Sequence, residues 1–523
     1  MAAIITNKFR IHNAKQFLEA FSEAENTNMY LFIGRVSEFT DDTNPPVPTD
    51  TFSTTEFSHW RDMIAAKKVA TADVSHVIPR VDWTSGTAYT QYDDEATNLF
   101  ASEFYVMNSN YYVYKVMFNN GDANSTVEPS GTSTSVFETA DGYKWKFMYE
   151  ISGAKALKFI TPTHIPVQTL PSDDGSFQYD VQQSAVDGGI DIILVTAAGS
   201  DYNQYANATV ESVVNSTSFT INTSSSGANT SNAFFQGASV YVDGGTGIGQ
   251  QTVVNTYSVT GTSATIITND AFSTGLIAGD STVYLSPRVD ITTGSNGAGA
   301  VAYAVVNSSA NNIETIEVSN VGAAYTRATV EITIDGAASS AGVTGSGATA
   351  RAIISPKGGH GNDPVDELGG FRVMMNTRLE NSESNNFTIS NDFRKIGLLK
   401  DPNFANGSIA TVSLADQAIK LTVANTSSAF EIDETVTGGT SGATATVVDM
   451  NNTTGVLRVI NSNGTFQNTE TITGGTSTVS DVINGISDGD LQVDSGEVLY
   501  IENRQPIARA NDQIEDIKIT ITF

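Results

Sequence analysis

The chain has 523 residues, no cysteine, 27 basic residues against 57 acidic ones and a formal net charge of −30. Such a length calls for several domains, the lack of cysteine excludes disulfides, thiol catalysis and Cys-ligated zinc, and the acidity opposes nucleic-acid binding, which needs clustered positive charge. Apolar residues make up 40%, enough for real cores, yet no apolar run is long enough to span a membrane. The opening residues lack the charged segment and apolar stretch of a signal peptide, and the cysteine-free chain fits a reducing cytoplasm.

In chain order, Asn13 is placed to cap a short helix whose Phe17, Leu18 and Phe21 share a face. Ser53-Thr-Thr-Glu56 is a capping-box pattern, leading into Phe57, Trp60 and Ile64 at helical spacing. Tyr111 to Phe118 reads as a strand. Tyr143, Trp145, Phe147, Tyr149 and Ile151 alternate with Lys144, Lys146, Met148 and Glu150, which predicts a half-buried strand with an aromatic core face.

Composition then changes. Residues 1–180 hold 13 of the 27 basic residues and all three tryptophans, whereas 181–350 hold only Arg288 and Arg327 and are dense in Gly, Ser, Thr and Asn. Residues 351–403 return to the first style, 404–490 revert to the second, and 491–523 close the chain. The reading is an N-terminal framework (1–180) interrupted by two inserted β-repeat domains (181–350 and 404–490), resumed at 351–403 and completed by a C-terminal strand (491–523). The fold class is mainly β on an α+β framework: β-sandwich domains or small β-repeat modules flanked by a few short helices.

Both insertions repeat internally. Ile190-Asp-Ile-Ile-Leu-Val-Thr-Ala-Ala-Gly199-Ser-Asp-Tyr202 matches Ile313-Glu-Thr-Ile-Glu-Val-Ser-Asn-Val-Gly322-Ala-Ala-Tyr325, each followed by Thr-Val-Glu. The segment from Val289 to Ala300 matches Val330 to Gly336 and then Gly345 to Ala350. Phe430-Glu-Ile-Asp-Glu-Thr-Val-Thr-Gly-Gly-Thr-Ser441 recurs 36 residues later from Phe466 to Ser477.

Chemical motifs are absent where they would count. Gly297-Ala-Gly299-Ala-Val-Ala302 and Gly345-Ser-Gly347-Ala-Thr-Ala350 spell dinucleotide loops, but strand-like residues follow where a helix N-terminus is required, so both read as β-turns. Asp488, Asp490, Asp494 and Glu497 do not fit a calcium loop, because Gly489 comes too early. No two histidines stand four apart. Asp93-Asp94 and Asp173-Asp174 are adjacent carboxylates of the kind a glycosidase uses, but 57 acidic residues make such pairs commonplace. Gly358-Gly-His360-Gly-Asn362 reads as a loop. No catalytic, cofactor or metal residue is assigned.

The last segment, from Ser495 to Phe523, ends in alternation, with Ile517, Ile519, Ile521 and Phe523 on one face and Asp516, Lys518, Thr520 and Thr522 on the other. That pattern is a strand docked in a core. Its Glu502-Asn503-Arg504 is expected to be a turn and, with Pro506, Asp512 and Gln513, resembles the C-terminal signature of the baseplate wedge protein, gene product 8, of T-even-type contractile-tailed bacteriophages. The similarity recurs in order along the framework. It includes Phe9-Arg10, Gly34-Arg35, Pro79-Arg80-x-Asp82-Trp83, Gly142-Tyr143-x-Trp145 and Phe393-Arg394, and it skips both insertions.

The resemblance implies a structural subunit, not an enzyme. It implies a homodimer in each wedge of the virion's tail baseplate, assembled in the host cytoplasm. The subunit would contact other wedge subunits and tail fibre proteins and help hold the pre-contraction state. No cofactor, nucleic acid, membrane insertion or small-molecule substrate is implied. The signature residues are assigned to fold or interface, and Arg35, Arg80 and Arg504 suit internal carboxylates as well as a neighbouring subunit. A second reading is a glycan-binding adhesin or tail-fibre-like protein using the β-repeats. A third is a glycan-degrading enzyme using paired carboxylates.

Overall fold

The computed structural model describes residues 3–23, 27–52, 57–294, 296–380, 392–508 and 514–523. It is mainly β, with several sheets, three small barrels and few short helices. The chain divides into two compact units: residues 1–79, 153–167 and 370–523 form the first, and 80–152 with 168–369 the second.

The first unit contains two open sheets. One has five strands in the order Leu414–Asp416, Met63–Lys68, Met29–Gly34, Phe393–Lys400 and Glu497–Ile507. Met29–Gly34 is buried on both faces, as its unbroken apolar run dictates. The other has four strands in the order Ile514–Thr522, Arg372–Glu380, Val74–Pro79 and His164–Val167. The terminal strand pairs in register with Arg372–Glu380 from Ile514↔Glu380 to Thr522↔Arg372. Ile517 and Ile519 are buried, while Ile521 and Phe523 are partly buried against the same core. Leu31, Ile33, Val373, Met375 and Leu398 join them there.

Three local expectations change in this unit. The first helix is Asn7–Glu19, and Thr6 caps it by accepting the Phe9 N–H at 3.2 Å. Asn13 therefore lies inside the helix, because Thr6 supplies a cap about two turns earlier. The α-helix at Trp60 is His59–Asp62, preceded by a π-helical turn at Phe57 and Ser58, and Ile64 already belongs to the strand Met63–Lys68. Its capping box, Ser53–Glu56, lies outside the described residues. Glu502-Asn503-Arg504 is strand, not turn, since the ladder with Phe393–Lys400 runs through it (Lys395↔Asn503, Ile396↔Glu502).

The same unit carries a closed barrel over 419–487, whose strand order is Ile419–Val423, Val456–Asn463, Thr444–Asn451, Thr435–Gly438, Thr471–Gly474 and Ser480–Ser487. The 36-residue repeat is its construction principle. The two copies pair antiparallel at Thr437↔Thr473. The Glu470 carboxylate accepts N–H groups of Thr440 (3.0 Å) and Ser441 (2.8 Å) and the Ser441 hydroxyl (2.9 Å). Glu434 does the same to Thr476 (3.0 Å), Ser477 (2.9 Å) and the Ser477 hydroxyl (2.8 Å). Each copy's glutamate thus caps the other copy's Gly-Gly-Thr-Ser turn. A Cβ on Gly438 would lie 2.7 Å from Glu470, and one on Gly474 2.5 Å from Glu434, so the reciprocal clamp needs glycine at both sites.

The second unit holds a four-stranded sheet, Tyr105–Met107, Tyr112–Phe118, Lys144–Glu150 and Phe137–Glu138. The aromatic face is core: Tyr114, Tyr143, Trp145 and Phe147 are all fully buried. Truncating a side chain such as Trp145 would cost about 3–5 kcal/mol. The strand is not half-buried, however. Lys115 and Lys146 on the opposite face are also inside, at 0% and 4% exposure, because the structure supplies partners for their charges.

Two further barrels are nested. The 190–354 barrel runs Arg288–Thr292, Ala298–Asn307, Asn312–Ala323, Ile190–Ser200, Ser346–Ile354 and Thr329–Thr333. The 206–286 barrel is spliced between its strands Ile190–Ser200 and Arg288–Thr292. The Thr-Val-Glu after the first repeat copy belongs to the spliced barrel. The true counterpart of Thr329–Thr333 is Arg288–Thr292, and the two pair directly.

The repeated glycines and tyrosines also make a matched pair. Tyr202 Oη accepts the Ala348 N–H at 3.3 Å and Tyr325 Oη accepts the Ala300 N–H at 3.2 Å. A Cβ on Gly345 or Gly297 would lie 2.5 Å from the ring of Tyr202 or Tyr325. The two glycine loops are therefore packed on by tyrosines and lead into strands rather than helices, which removes the geometry a pyrophosphate needs.

Candidate functional site: the signature clusters

Gly34, Arg35, Phe393, Arg394 and Asn503 share a neighbourhood in the first unit, and Arg80, Asp82, Trp83, Gly142, Tyr143 and Trp145 lie in the second. In the first unit, Gly34 ends its strand where a Cβ would meet the Asp62 carbonyl oxygen at 2.5 Å. Arg35 follows at φ 56°, donates its N–H to the same carbonyl at 2.9 Å, and lays its guanidinium 4.2 Å from the Phe39 ring. Its side chain also donates to the Glu38 carbonyl.

Phe393 is buried in the core beside this turn, and Arg394 is 3% exposed. Arg394 donates its N–H to the Arg35 carbonyl, its guanidinium reaches Asp42 at 2.8 Å and Asp392 at 2.7 Å, and it also donates to the Val36 carbonyl. Burial works against the guanidinium's charge, but Asp42 and Asp392 more than offset it and hold Arg394 above its ordinary pKa. Next to it, Lys395 pairs with the Asp62 carboxylate.

The C-terminal signature joins the same neighbourhood: Asn503 donates to the Pro46 carbonyl at 2.8 Å and Gln505 to that of Thr43 at 2.8 Å. Arg504 pairs with Glu502 at 3.2 Å, and Tyr500 donates to Glu502 at 2.7 Å. Pro506 is exposed on this edge strand, where a missing N–H costs nothing. Asp512 and Gln513 lie outside the described residues. Arg10 donates to the terminal main-chain oxygen of Phe523 and lies 4.2 Å over the Phe371 ring, while Phe523 packs on Phe17 at 5.4 Å. Phe9, its neighbour, is 54% exposed. Pro79 closes the strand Val74–Pro79 opposite His164.

In the second unit, Arg80 grips Asp82 with its Nε 2.9 and 3.0 Å from the two carboxylate oxygens. Trp83 donates to Ser125 Oγ at 3.0 Å, and Ser125 donates onward to Asp141 at 3.0 Å. Asp141 also accepts from Thr126, Val127 and Thr139. Burial opposes its ionisation, but these bonds prevail and bring its pKa to about 2. Gly142 turns the chain at φ 79° against Asn120. Tyr143 then stacks on Trp145 at 5.3 Å, and Trp145 donates to Thr139 at 3.1 Å. Arg80 and Arg504 thus pair within the chain.

Neither adjacent carboxylate pair has the disposition of two facing catalytic acids. Asp93 and Asp94 are both held by Arg351 at 2.7 and 2.8 Å. Asp173 and Asp174 accept turn N–H groups of Gly175 and Ser176. Among the former calcium candidates, Asp490 accepts the Asp416 N–H at 2.8 Å. Among the described residues no group of three His, Cys, Asp or Glu is arranged to hold a metal ion.

One constellation escaped the sequence reading. Lys115, fully buried, pairs with Glu367 and lies 2.6 Å from His360 Nδ1. Glu367 also accepts the Gly361 N–H at 2.7 Å. Burial pushes Lys115 below its ordinary pKa. Burial opposes Glu367 ionising, and Lys115 reverses that. The partners lie 245 and 252 residues from Lys115, a separation no local motif reveals. The only signal was His360 standing within three glycines.

The signature residues are spent on internal ion pairs, glycine turns and aromatic packing, and the family match over residues 3–121 indicates a structural baseplate protein. Residues 3–121 match the family model described as Phage-Gp8, Bacteriophage T4 Gp8, which supports gene product 8 as the family of this chain. The matched segment is under a quarter of the 523 residues and contains Phe9, Arg10, Gly34, Arg35, Pro79, Arg80, Asp82 and Trp83. No curated protein sequence matches the chain.

Proposed function

We propose that the chain is a subunit of the tail baseplate wedge of a contractile-tailed phage. It acts by protein–protein contact in baseplate assembly and in holding the pre-contraction state. Its partners are a second copy of itself, other wedge subunits and tail fibre proteins, and it is assembled in the host cytoplasm. The observation that carries this reading is the family match over 3–121, extended by the signature residues Phe393, Arg394 and Asn503, which pack around the matched Gly34-Arg35 turn. In this reading 181–350 and 404–490 are insertions in the wedge framework, and the signature residues serve fold first and contact second.

Val47 and Phe52 are 87% and 83% exposed, a feature of sites that meet another protein when such side chains cluster. The test is co-expression with the wedge subunits encoded beside it, followed by size exclusion and native mass spectrometry. A stable complex containing two copies of the chain supports the reading; a monomer that joins none of them sinks it.

A further inference from the structure

We infer that the second unit carries a binding site for a neutral saccharide, in the cavity lined by His360, Asp191, Lys144, Lys146 and Glu317. The cavity has a volume of about 380 Å³. It is continued past Lys144, Asp191 and Glu317 by a groove of about 600 Å³ along the strands Ile190–Ser200 and Asn312–Ala323. Both volumes fall in the range of about 300–1,000 Å³ typical of small-molecule sites.

The buried imidazole is the sharpest element. Lys115 has only hydrogens to offer, so its contact with Nδ1 makes that nitrogen the acceptor and puts the ring proton on Nε2. Burial, and then the Lys115 charge, keep the ring neutral. Among the described residues the Nε2–H has no hydrogen-bond partner, though His360 is 3% exposed, and it stands 4.0 Å from the Asp191 carboxylate. That gap is too wide for a direct hydrogen bond. A hydroxyl between them accepts from Nε2–H and donates to Asp191, satisfying a donor that is costly to leave unpaired.

Charge selects among ligands. Two ammonium groups (Lys144 and Lys146) and three carboxylates (Glu138, Asp191 and Glu317) line the cavity. The carboxylates repel an anion, the ammoniums repel a cation, and the mixture suits neutral hydroxyls, which both donate and accept. Lys144 and Glu317 are already paired at 2.6 Å, which fixes the donor and acceptor edges. Phe137 and Phe118 give the cavity and the groove an apolar wall for sugar C–H faces.

The test is an array of neutral oligosaccharides probed with the labelled full-length chain, with each hit titrated by calorimetry against the wild type, Asp191→Ala and Glu317→Gln. The expected result is at least one neutral hit, weakened tenfold or more by Asp191→Ala at an unchanged melting temperature. Glu317→Gln, on the rim, serves as the second variant should Asp191→Ala misfold. Three results overturn the site: no neutral saccharide retained, hits that survive both substitutions, or free phosphate or acetate binding in their place.

Discussion

Replacing Glu470 by alanine tests whether the 36-residue repeat is held together by crossed glutamates. The substitution removes a carboxylate that accepts four hydrogen bonds: from Thr440 N–H (3.0 Å), Ser441 N–H (2.8 Å), Ser441 hydroxyl (2.9 Å) and Gln467 N–H (2.6 Å). Bonds to a charged acceptor contribute a net of about 1.5–3 kcal/mol each, after the water bonds they replace. They are not additive, and water reaches part of this site once the side chain is gone. A net loss of about 2–4 kcal/mol is therefore expected.

Amide hydrogen exchange reads this locally. Glu470→Ala should strip protection from Thr440 and Ser441 in the other copy, and Glu434→Ala should strip it from Thr476 and Ser477. Exchange at those amides that stays at the wild-type rate would refute the clamp. Acid should mimic the substitutions. Burial opposes ionisation of Glu434 and Glu470, but the bonds from the Gly-Gly-Thr-Ser turns outweigh it and lower both pKa values. A lowered carboxylate stabilises fully above its unfolded value, about 4.3, and loses that contribution as pH falls through the folded pKa. The 419–487 barrel should thus loosen below about pH 4, and a double Glu434→Gln, Glu470→Gln variant should lose most of this pH dependence.

Other outcomes follow from the same packing arguments. Lys115→Met leaves Glu367 charged and buried, so thermal melting should show a loss of about 3–5 kcal/mol, most of it recovered in the Lys115→Met, Glu367→Met double variant. Gly34→Ala places a Cβ against the Asp62 carbonyl oxygen at 2.5 Å, and its melting should report a loss of about 1–3 kcal/mol. Val47→Asp with Phe52→Asp should leave the melting temperature unchanged and weaken wedge co-assembly in native mass spectrometry, because both side chains are exposed in the free chain.

Features with a short-range cause were legible from the residues. The terminal strand shows its alternation because one face meets the core and the other does not, and Ile517 and Ile519 are indeed inside. The two glycine motifs were expected to be turns ahead of strands, but only Gly297 and Gly345 precede them: the strands Ala298–Asn307 and Ser346–Ile354 already contain Gly299 and Gly347. What was hidden depends on distant partners. Lys115 and Lys146 looked like the polar face of a strand, but Glu367, far along the chain, lets Lys115 be buried, and the Thr134 carbonyl accepts from Lys146. The spliced barrel was masked because Thr-Val-Glu suits any half-buried strand, so the same triplet serves two barrels. Asn13 lost the helix cap to Thr6, since both residue types can cap and the helix that buries Ile11 and Ala14 begins before Asn13.

The central claim is that this chain is a structural part of a tail baseplate, and the most direct measurement is a cryo-electron microscopy map of the intact virion that encodes it. The account predicts density at the baseplate into which the 419–487 barrel and the nested 190–354 barrel fit, each with its six strands, in contact with neighbouring subunits. A complete baseplate map with no such density, or a particle from which the chain is absent by mass spectrometry, would contradict it.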